Sequence, residues 1–142
     1  MGINVISRPA VTTSAVDTTD SGKKTVTSLT QKTASSGEIA LLAADVSSGL
    51  VVCSEAKQVF VTLNSSASDF ISALGAEAGH VVRCWIINTD AGIINLDARR
   101  ATGFTVFGDT NTLTSGCLEL QFIVIGSNKC VLTSTAHNPQ KG

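Results

Sequence analysis

Two apolar segments, residues 80–88 and 117–125, dominate the pattern of hydrophobic positions along the chain. Both are rich in β-branched and aromatic residues, and each is followed or closed by Asn or Gly. In the second segment every other residue is strongly apolar, the spacing of a strand with one buried face, at Leu118, Leu120, Phe122 and Val124. Shorter strand-like pieces separated by turn residues fill most of the remaining chain. This pattern predicts a β-sandwich or β-barrel.

Eight or nine strands are predicted between residues 25 and 134. The Asn88–Gly92 segment has the composition of a turn, so residues 80–97 are expected to form a hairpin. Glycines bound a short strand over residues 103–108. The candidate strands are residues 26–31, 38–43, 50–54, 58–63, 80–88, 93–97, 103–108, 117–125 and 129–134.

One short helix is predicted within residues 64–75. Ser66 is a suitable N-cap with Asp69 three residues later, and Gly75 is a suitable end. The helix would bury Phe70, Ile71 and Leu74. One short helix after the fourth strand favours an all-β fold: an eight- to nine-stranded antiparallel β-sandwich of the jelly-roll type. An immunoglobulin-like sandwich is the rival, but the chain has no Tyr and lacks the Cys–Trp–Cys spacing.

The two ends of the chain do not have the composition of a core. Residues 1–24 are polar and of low complexity after an apolar start, which predicts an extended N-terminal arm before the sandwich of residues 25–134. Residues 135–142 are expected to form a flexible tail. The apolar start of the arm suggests that a neighbouring subunit covers it, so the expected assembly contacts are Ile3, Val5 and Ile6.

The low charge of the chain limits the classes of partner that it is expected to bind. Charged residues make up 15% of the chain and the net charge is −1. A concentrated basic surface is therefore absent, which argues against nucleic acid as a partner. No apolar run is long enough to span a membrane, and the N-terminus lacks a signal-peptide pattern. Ser and Thr make up about a quarter of the residues. Their hydroxyls can be covered by another subunit without the cost of burying a charge, although Thr also favours strands for local reasons.

The sequence contains few residues in the spacing expected of a catalytic or metal-binding site. The cysteines are widely spaced in predicted strands, which favours buried, reduced thiols over a zinc site, although an even count permits disulfides. His80 opens a strand, His137 lies in the tail, and no nucleophile-elbow motif accompanies them. The aspartates near turns are expected to bond local backbone. Core packing is expected for Trp85 and the five phenylalanines. We therefore expect no catalytic residues, metal or cofactor. The cysteines are Cys53, Cys84, Cys117 and Cys130; the aspartates are Asp90, Asp97 and Asp109.

A resemblance becomes visible when residues 81–97, 103–108 and 117–125 are read together. A strand, an Asn-Thr turn, a strand, the Gly-bounded piece Gly-Phe-Thr-Val-Phe-Gly and a long apolar strand follow one another. This order resembles small structural proteins of virus particles, the capsid vertex (penton), cement and fibre-head proteins of tailed phages and large DNA viruses. The opening Thr27–Thr33 is similar to the first strand of such modules. The resemblance implies a jelly-roll or related sandwich, symmetric homo-oligomers and no enzymatic activity.

The leading hypothesis is therefore a viral structural protein that assembles through its sandwich flanks and its arm. Expected partners are copies of itself, as a trimer or pentamer, and other capsid proteins, with assembly in the host cytoplasm and a final location in the virion. The alternative is a carbohydrate- or receptor-binding β-sandwich, which would need exposed aromatic side chains. A small β-rich enzyme, such as a trimeric nucleotide hydrolase, lacks the motifs expected of it.

Overall fold

The chain is mostly β in a computed structural model that describes residues 29–112 and 116–139. These residues form nine strands and two helices. In chain order they are β1 (Thr30–Gln31), β2 (Glu38–Ala40), α1 (Ala43–Ser48), β3 (Leu50–Cys53), β4 (Val59–Thr62), α2 (Ala67–Leu74), β5 (Val81–Asn88), β6 (Ile94–Asp97), β7 (Phe104–Gly108), β8 (Gly116–Gly126) and β9 (Lys129–His137).

The first six strands alternate between two sheets. Strands β1, β3 and β5 enter a six-stranded sheet with the order β1-β3-β5-β8-β9-β7, whereas β2, β4 and β6 form a three-stranded sheet. Within each sheet these strands pair in parallel with the strand two places along the chain. The chain therefore winds through three successive coils, in the manner of a short β-helix.

The last three strands widen the six-stranded sheet. β8 pairs antiparallel with both β5 and β9, and β7 pairs in parallel with β9 at the far edge. Between β7 and β8 the chain crosses to the other sheet, where the Leu96 N–H donates to the Thr110 carbonyl and the Thr112 N–H to the Ile94 carbonyl. The two sheets are thus tied together along this side.

Both sheets and both helices contribute to one hydrophobic core. The predicted helix is confirmed as α2: the Ser66 hydroxyl accepts from the Asp69 N–H at 3.1 Å, and Gly75 ends the helix with φ +69°. The predicted apolar face of α2 is buried, at Phe70, Ile71 and Leu74. The alternating residues of β8 are buried as well, at Leu118, Leu120, Phe122 and Val124. Burial of one residue in two along a strand leaves the other half facing outward.

The antiparallel part of the fold prediction is wrong. Among the nine strands, five of the seven pairings are parallel. A jelly roll, which is built from antiparallel strands, is not confirmed. The expected hairpin over residues 80–97 is also wrong, because β5 and β6 belong to different sheets. Alternating patterns and turn residues are common to parallel coils and antiparallel hairpins, so they do not set the direction of pairing.

A second helix, α1, was not predicted, and it begins at Ala43, the last residue of a predicted strand. The Leu42 N–H donates to the Asp45 carboxylate at 2.8 Å, and Lys32 Nζ lies 2.7 Å from the same carboxylate oxygen. Asp45 is only 6% exposed. This partly buried ion pair joins the segment after β1 to α1, and it depends on residues that are distant in sequence.

Candidate interaction surface

The side of the six-stranded sheet that points away from the core carries side chains that do not belong to the hydrophobic core. We name it the outer face. It is formed by the residues of β3, β5, β8 and β9 that alternate with the buried ones, and by exposed residues of β7. None of these outward side chains is buried among the described residues. The face comprises Leu50, Val52, Val81, Arg83, Trp85, Ile87, Thr105, Phe107, Cys117, Glu119, Gln121, Ile123, Val131, Thr133, Thr135 and His137.

Cross-strand register divides the outer face into apolar and polar rows. One row is wholly aliphatic across three neighbouring strands, at Val81, Ile123 and Val131. The adjacent row is polar over the same three strands, at Arg83, Gln121 and Thr133, and ends at Phe107 of β7. Beyond it lies a second apolar region on β3 and β5, where Leu50 lies beside Trp85 and Val52 beside Ile87. The same two rows continue on β8 and β9 with Cys117 and the polar residues Glu119, Thr135 and His137. The face thus has two apolar regions separated by one polar row.

Trp85 is the centre of a small aromatic and ionic cluster on the outer face. Its indole stacks on the His137 imidazole with ring centroids 5.3 Å apart. His137 Nε2 lies 3.0 Å from the Glu119 carboxylate, and Glu119 stands directly opposite Trp85 in the register. His137 was predicted to lie in a tail, but β9 continues to it, so residues 135–137 belong to the sheet.

No protein-family model, no curated protein and no solved structure matches this chain. The function is therefore inferred from the geometry and chemistry of the surface. The residues predicted to make assembly contacts, Ile3, Val5 and Ile6, lie outside the described residues together with the rest of the 1–24 arm.

The expected burial of the aromatic residues is correct for only half of them. Phe70, Phe104 and Phe122 pack together, with ring centroids 5.2 to 6.5 Å apart. Trp85, Phe107 and Phe60 are 37%, 58% and 38% exposed. Alternate residues of a strand face opposite sides of the sheet, and this separates the buried aromatic residues from the exposed ones. Local composition alone does not reveal which of the two sides faces the core.

The four cysteines lie in strands as predicted, and they are free thiols in the structure. Burial raises the pKa of Cys53 and Cys130 to about 11 and that of Cys84 to about 12. These three thiols are therefore protonated at neutral pH and are poor nucleophiles. Cys117 differs because it is half-buried on the outer face, opposite Ile87 and His137. Burial and the nearby Glu119 raise its pKa as well.

The predicted bonding of the aspartates to local backbone is confirmed for two of the three. Asp90 accepts from the Ala91 N–H and Asp97 from the Arg99 N–H. Asp109 instead accepts from the Ala136 N–H, 27 residues away in sequence. His80 accepts from the Glu77 N–H through Nδ1 in the turn before β5. Residues 29–112 and 116–139 contain no cluster of His, Cys, Asp or Glu with the geometry to hold a metal ion. No helix in these ranges is long and apolar enough to cross a bilayer.

An open groove of about 460 Å³ lies beside the three-stranded sheet. Its lining is mainly apolar and amide, and its charged groups are Asp97 and Arg99, which pair with each other. No histidine or cysteine is found among the described residues that line it. The groove therefore lacks a thiol or imidazole that could serve as a nucleophile or base. Its lining residues are Phe60, Asn95, Leu96, Asp97, Ala98, Arg99, Phe104, Val106 and Thr110.

The Asp97–Arg99 pair predicts a specific dependence of stability on pH. Hydrogen bonds from Arg99 Nε and Nη2, at 2.9 and 2.8 Å, and from its backbone lower the pKa of Asp97 from 3.8 to about 2. A carboxyl group whose pKa is lower in the folded state stabilises the protein above its unfolded pKa. That contribution is lost as the pH falls from about 4 to about 2. The effect is small, since Arg99 is largely exposed.

Thermal denaturation of wild type and Asp97→Asn across this range measures the contribution. We expect the wild type to have the higher Tm at neutral pH, with the difference shrinking below pH 4 and vanishing near pH 2. Asp90→Asn is the control, because its carboxylate has no ion-pair partner among the described contacts. A Tm difference that stays constant down to pH 2 would contradict the assignment.

Proposed function

We propose that this protein is a non-enzymatic structural subunit that assembles with copies of itself as a capsid component of a virus particle. The observation that carries the proposal is the outer face, which leaves Val81, Trp85 and Phe107 more than a third exposed on one sheet. A large exposed apolar patch on a soluble protein is typical of an interaction surface. The polar row between the apolar regions contains one charged residue, Arg83.

The composition of the chain and the edges of its six-stranded sheet also favour self-assembly. The weakly charged, hydroxyl-rich composition allows much of the surface to be covered by another subunit at low desolvation cost. The six-stranded sheet ends in a two-residue strand, β1, and in β7, whose Phe107 is exposed. Unpaired strand edges favour association with further chains. The proposal does not require a jelly roll, because the face and the edges are properties of the sheet.

The proposal that the assembly is a capsid is supported by the resemblance of residues 81–97, 103–108 and 117–125 to structural domains of virus particles. On this proposal the partners are copies of the chain in a closed ring, a trimer or pentamer, together with other capsid proteins, and the protein resides in the virion. Closed symmetry covers the exposed flanks of every subunit.

Charge introduced into the outer face tests the proposal. In Val81→Lys/Phe107→Lys the altered side chains are 44% and 58% exposed in the wild type, so the fold is expected to tolerate them. Each ammonium group would have to lose water on assembly, and we expect the dissociation constant to rise about 100-fold or more. Light scattering over a concentration series measures this change.

Leu42→Lys/Phe60→Lys is the matched control. These side chains are 55% and 38% exposed but lie outside the outer face, so the control is expected to assemble as the wild type does. A wild-type chain that stays monomeric at every concentration would overturn self-association. Equal weakening of both double variants would place the interface elsewhere.

A carbohydrate- or receptor-binding module is the second candidate, and exposed Trp85 favours it. An indole beside a carboxylate can stack on a sugar ring and accept a hydroxyl hydrogen bond. His137 already stacks on the indole. Trp85 is the only tryptophan in the chain, so its fluorescence reports binding directly. A glycan that binds this module should change the fluorescence and lose its affinity in Glu119→Gln. An array without hits would count against this candidate.

A further inference from the structure

We propose that residues 1–28 of a neighbouring copy lie across the outer face and cover its apolar rows. This inference rests on the proposed self-association and names the segment and the surface that carry it. Leu29, where the described chain begins, is 49% exposed and directly precedes β1. β1 is an edge strand of the same sheet. The segment is therefore attached at a margin of the face that it is proposed to cover on another subunit.

Residues 1–28 are long enough to reach across a neighbouring copy of the chain. Six strands at about 4.8 Å spacing make a sheet about 24 Å wide. Twenty-eight residues span up to about 90 Å when extended. The segment can therefore leave its own subunit and still cross the full width of a neighbouring sheet.

The chemistry of the segment matches the rows of the outer face. Ile3 and Val5 fall on the same side of an extended chain, with Ile6 on the other. Such a pair fits the row of Val52, Ile87 and Cys117. The remaining residues of the segment are numerous enough to continue over the row of Val81, Ile123 and Val131. The side chains of the neighbouring polar row can hydrogen-bond to the backbone of an extended segment.

Direct packing of two outer faces is a poorer solution. Sheets packed face to face lie about 10 Å apart. Arg83 and Glu119 of both copies would then lie between the sheets, where each charge needs a partner to offset its desolvation. An extended segment can pass over the apolar rows in turn and leave the charged side chains between them in contact with water.

Cys117 is a built-in reporter for coverage of this face. It is half-buried on the outer face, whereas Cys53, Cys84 and Cys130 point into the core. Maleimide labelling of the native full-length chain, followed by peptide mapping, therefore reads the accessibility of Cys117 selectively. We expect its labelling rate to fall about tenfold or more as the protein concentration rises through the assembly range.

Two full-length variants locate the covering segment. Ile3→Asp/Val5→Asp/Ile6→Asp should leave Cys117 rapidly labelled at every concentration. Thr12→Asp/Thr13→Asp/Ser14→Asp adds the same charge to the same segment at polar positions, and it should retain the protection seen in the wild type. Equal loss of protection in both variants would contradict a specific role for the apolar start of the segment.

Mass measured by light scattering in the same samples separates the two proposals. An assembled protein with freely labelled Cys117 would overturn the docking of residues 1–28 while leaving self-association in place. Protection that does not depend on concentration would show that the segment covers its own subunit, which overturns the exchange between copies. A chain that is monomeric throughout would overturn both proposals.

Discussion

Replacing Asn88 with leucine is expected to lower the free energy of unfolding by about 3 kcal/mol or more. Asn88 is 2% exposed. Its side-chain oxygen accepts from the Glu55 and Asp90 N–H groups at 2.8 and 3.2 Å, and its amide donates to the Glu55 and Gly92 carbonyls at 3.0 and 2.7 Å. Leucine has a similar size but makes none of these bonds, so buried backbone groups lose their partners. Urea denaturation of both proteins measures the difference.

Thr89→Val is the matched control for Asn88→Leu. The Thr89 hydroxyl is an exposed donor to the Cys53 carbonyl, which also accepts from the Thr89 N–H. Its loss is expected to cost less than about 1 kcal/mol. Asn88→Asp gives a second check, because its carboxylate would face two carbonyl oxygens and should regain stability when protonated at low pH. Equal effects of Asn88→Leu and Thr89→Val would contradict the role assigned to Asn88.

Replacing Phe122 with alanine is expected to cost about 3–5 kcal/mol. Phe122 is fully buried in β8 and stacks on Phe70 of α2 with centroids 5.2 Å apart. Phe104 of β7 completes the cluster at 6.5 Å. Truncation removes the contacts that join the helix to two strands of the six-stranded sheet and leaves a cavity that a packed core fills only in part.

Phe107→Ala is the control for Phe122→Ala, since Phe107 lies in the same sheet but is 58% exposed. At protein concentrations below assembly its cost is expected to be within about 0.5 kcal/mol. Urea denaturation of the three proteins measures both values. A loss of less than about 1 kcal/mol in Phe122→Ala would show that the core collapses around the missing ring.

Local patterns predicted the elements well where one face of an element is clearly apolar. β8 and α2 follow directly from the spacing of their apolar residues, and the Ser66 and Gly75 caps supplied the ends of the helix. The Phe104–Gly108 strand was predicted from its bounding glycines. In each case the information lies within a dozen consecutive residues, because periodicity and capping are local properties.

Partner choice between strands was not predictable in the same way. The turn after β5 resembles a hairpin turn, yet the Asn88 side chain fastens it to the backbone of residue 55 and the chain passes into the other sheet. Gly92 permits this close approach, since a Cβ there would clash with the Lys57 and Glu55 backbone. These contacts span more than thirty residues of sequence and leave no local pattern. α1 was missed for the same reason, because the ion pair of Asp45 with Lys32 lies across thirteen residues.

The sequence by itself determined that this is a β-rich chain with a capped helix, strands of alternating character, a weakly charged surface and four thiols placed in strands. It also singled out Trp85 and the segment around it. Only the tertiary structure decided which strands pair, in which direction, and which face of each strand meets the core. The physical reason is that alternation gives every strand two faces and a local turn does not choose its distant partner. That choice placed Trp85, Phe107 and Cys117 on the outer face, the surface from which function is inferred.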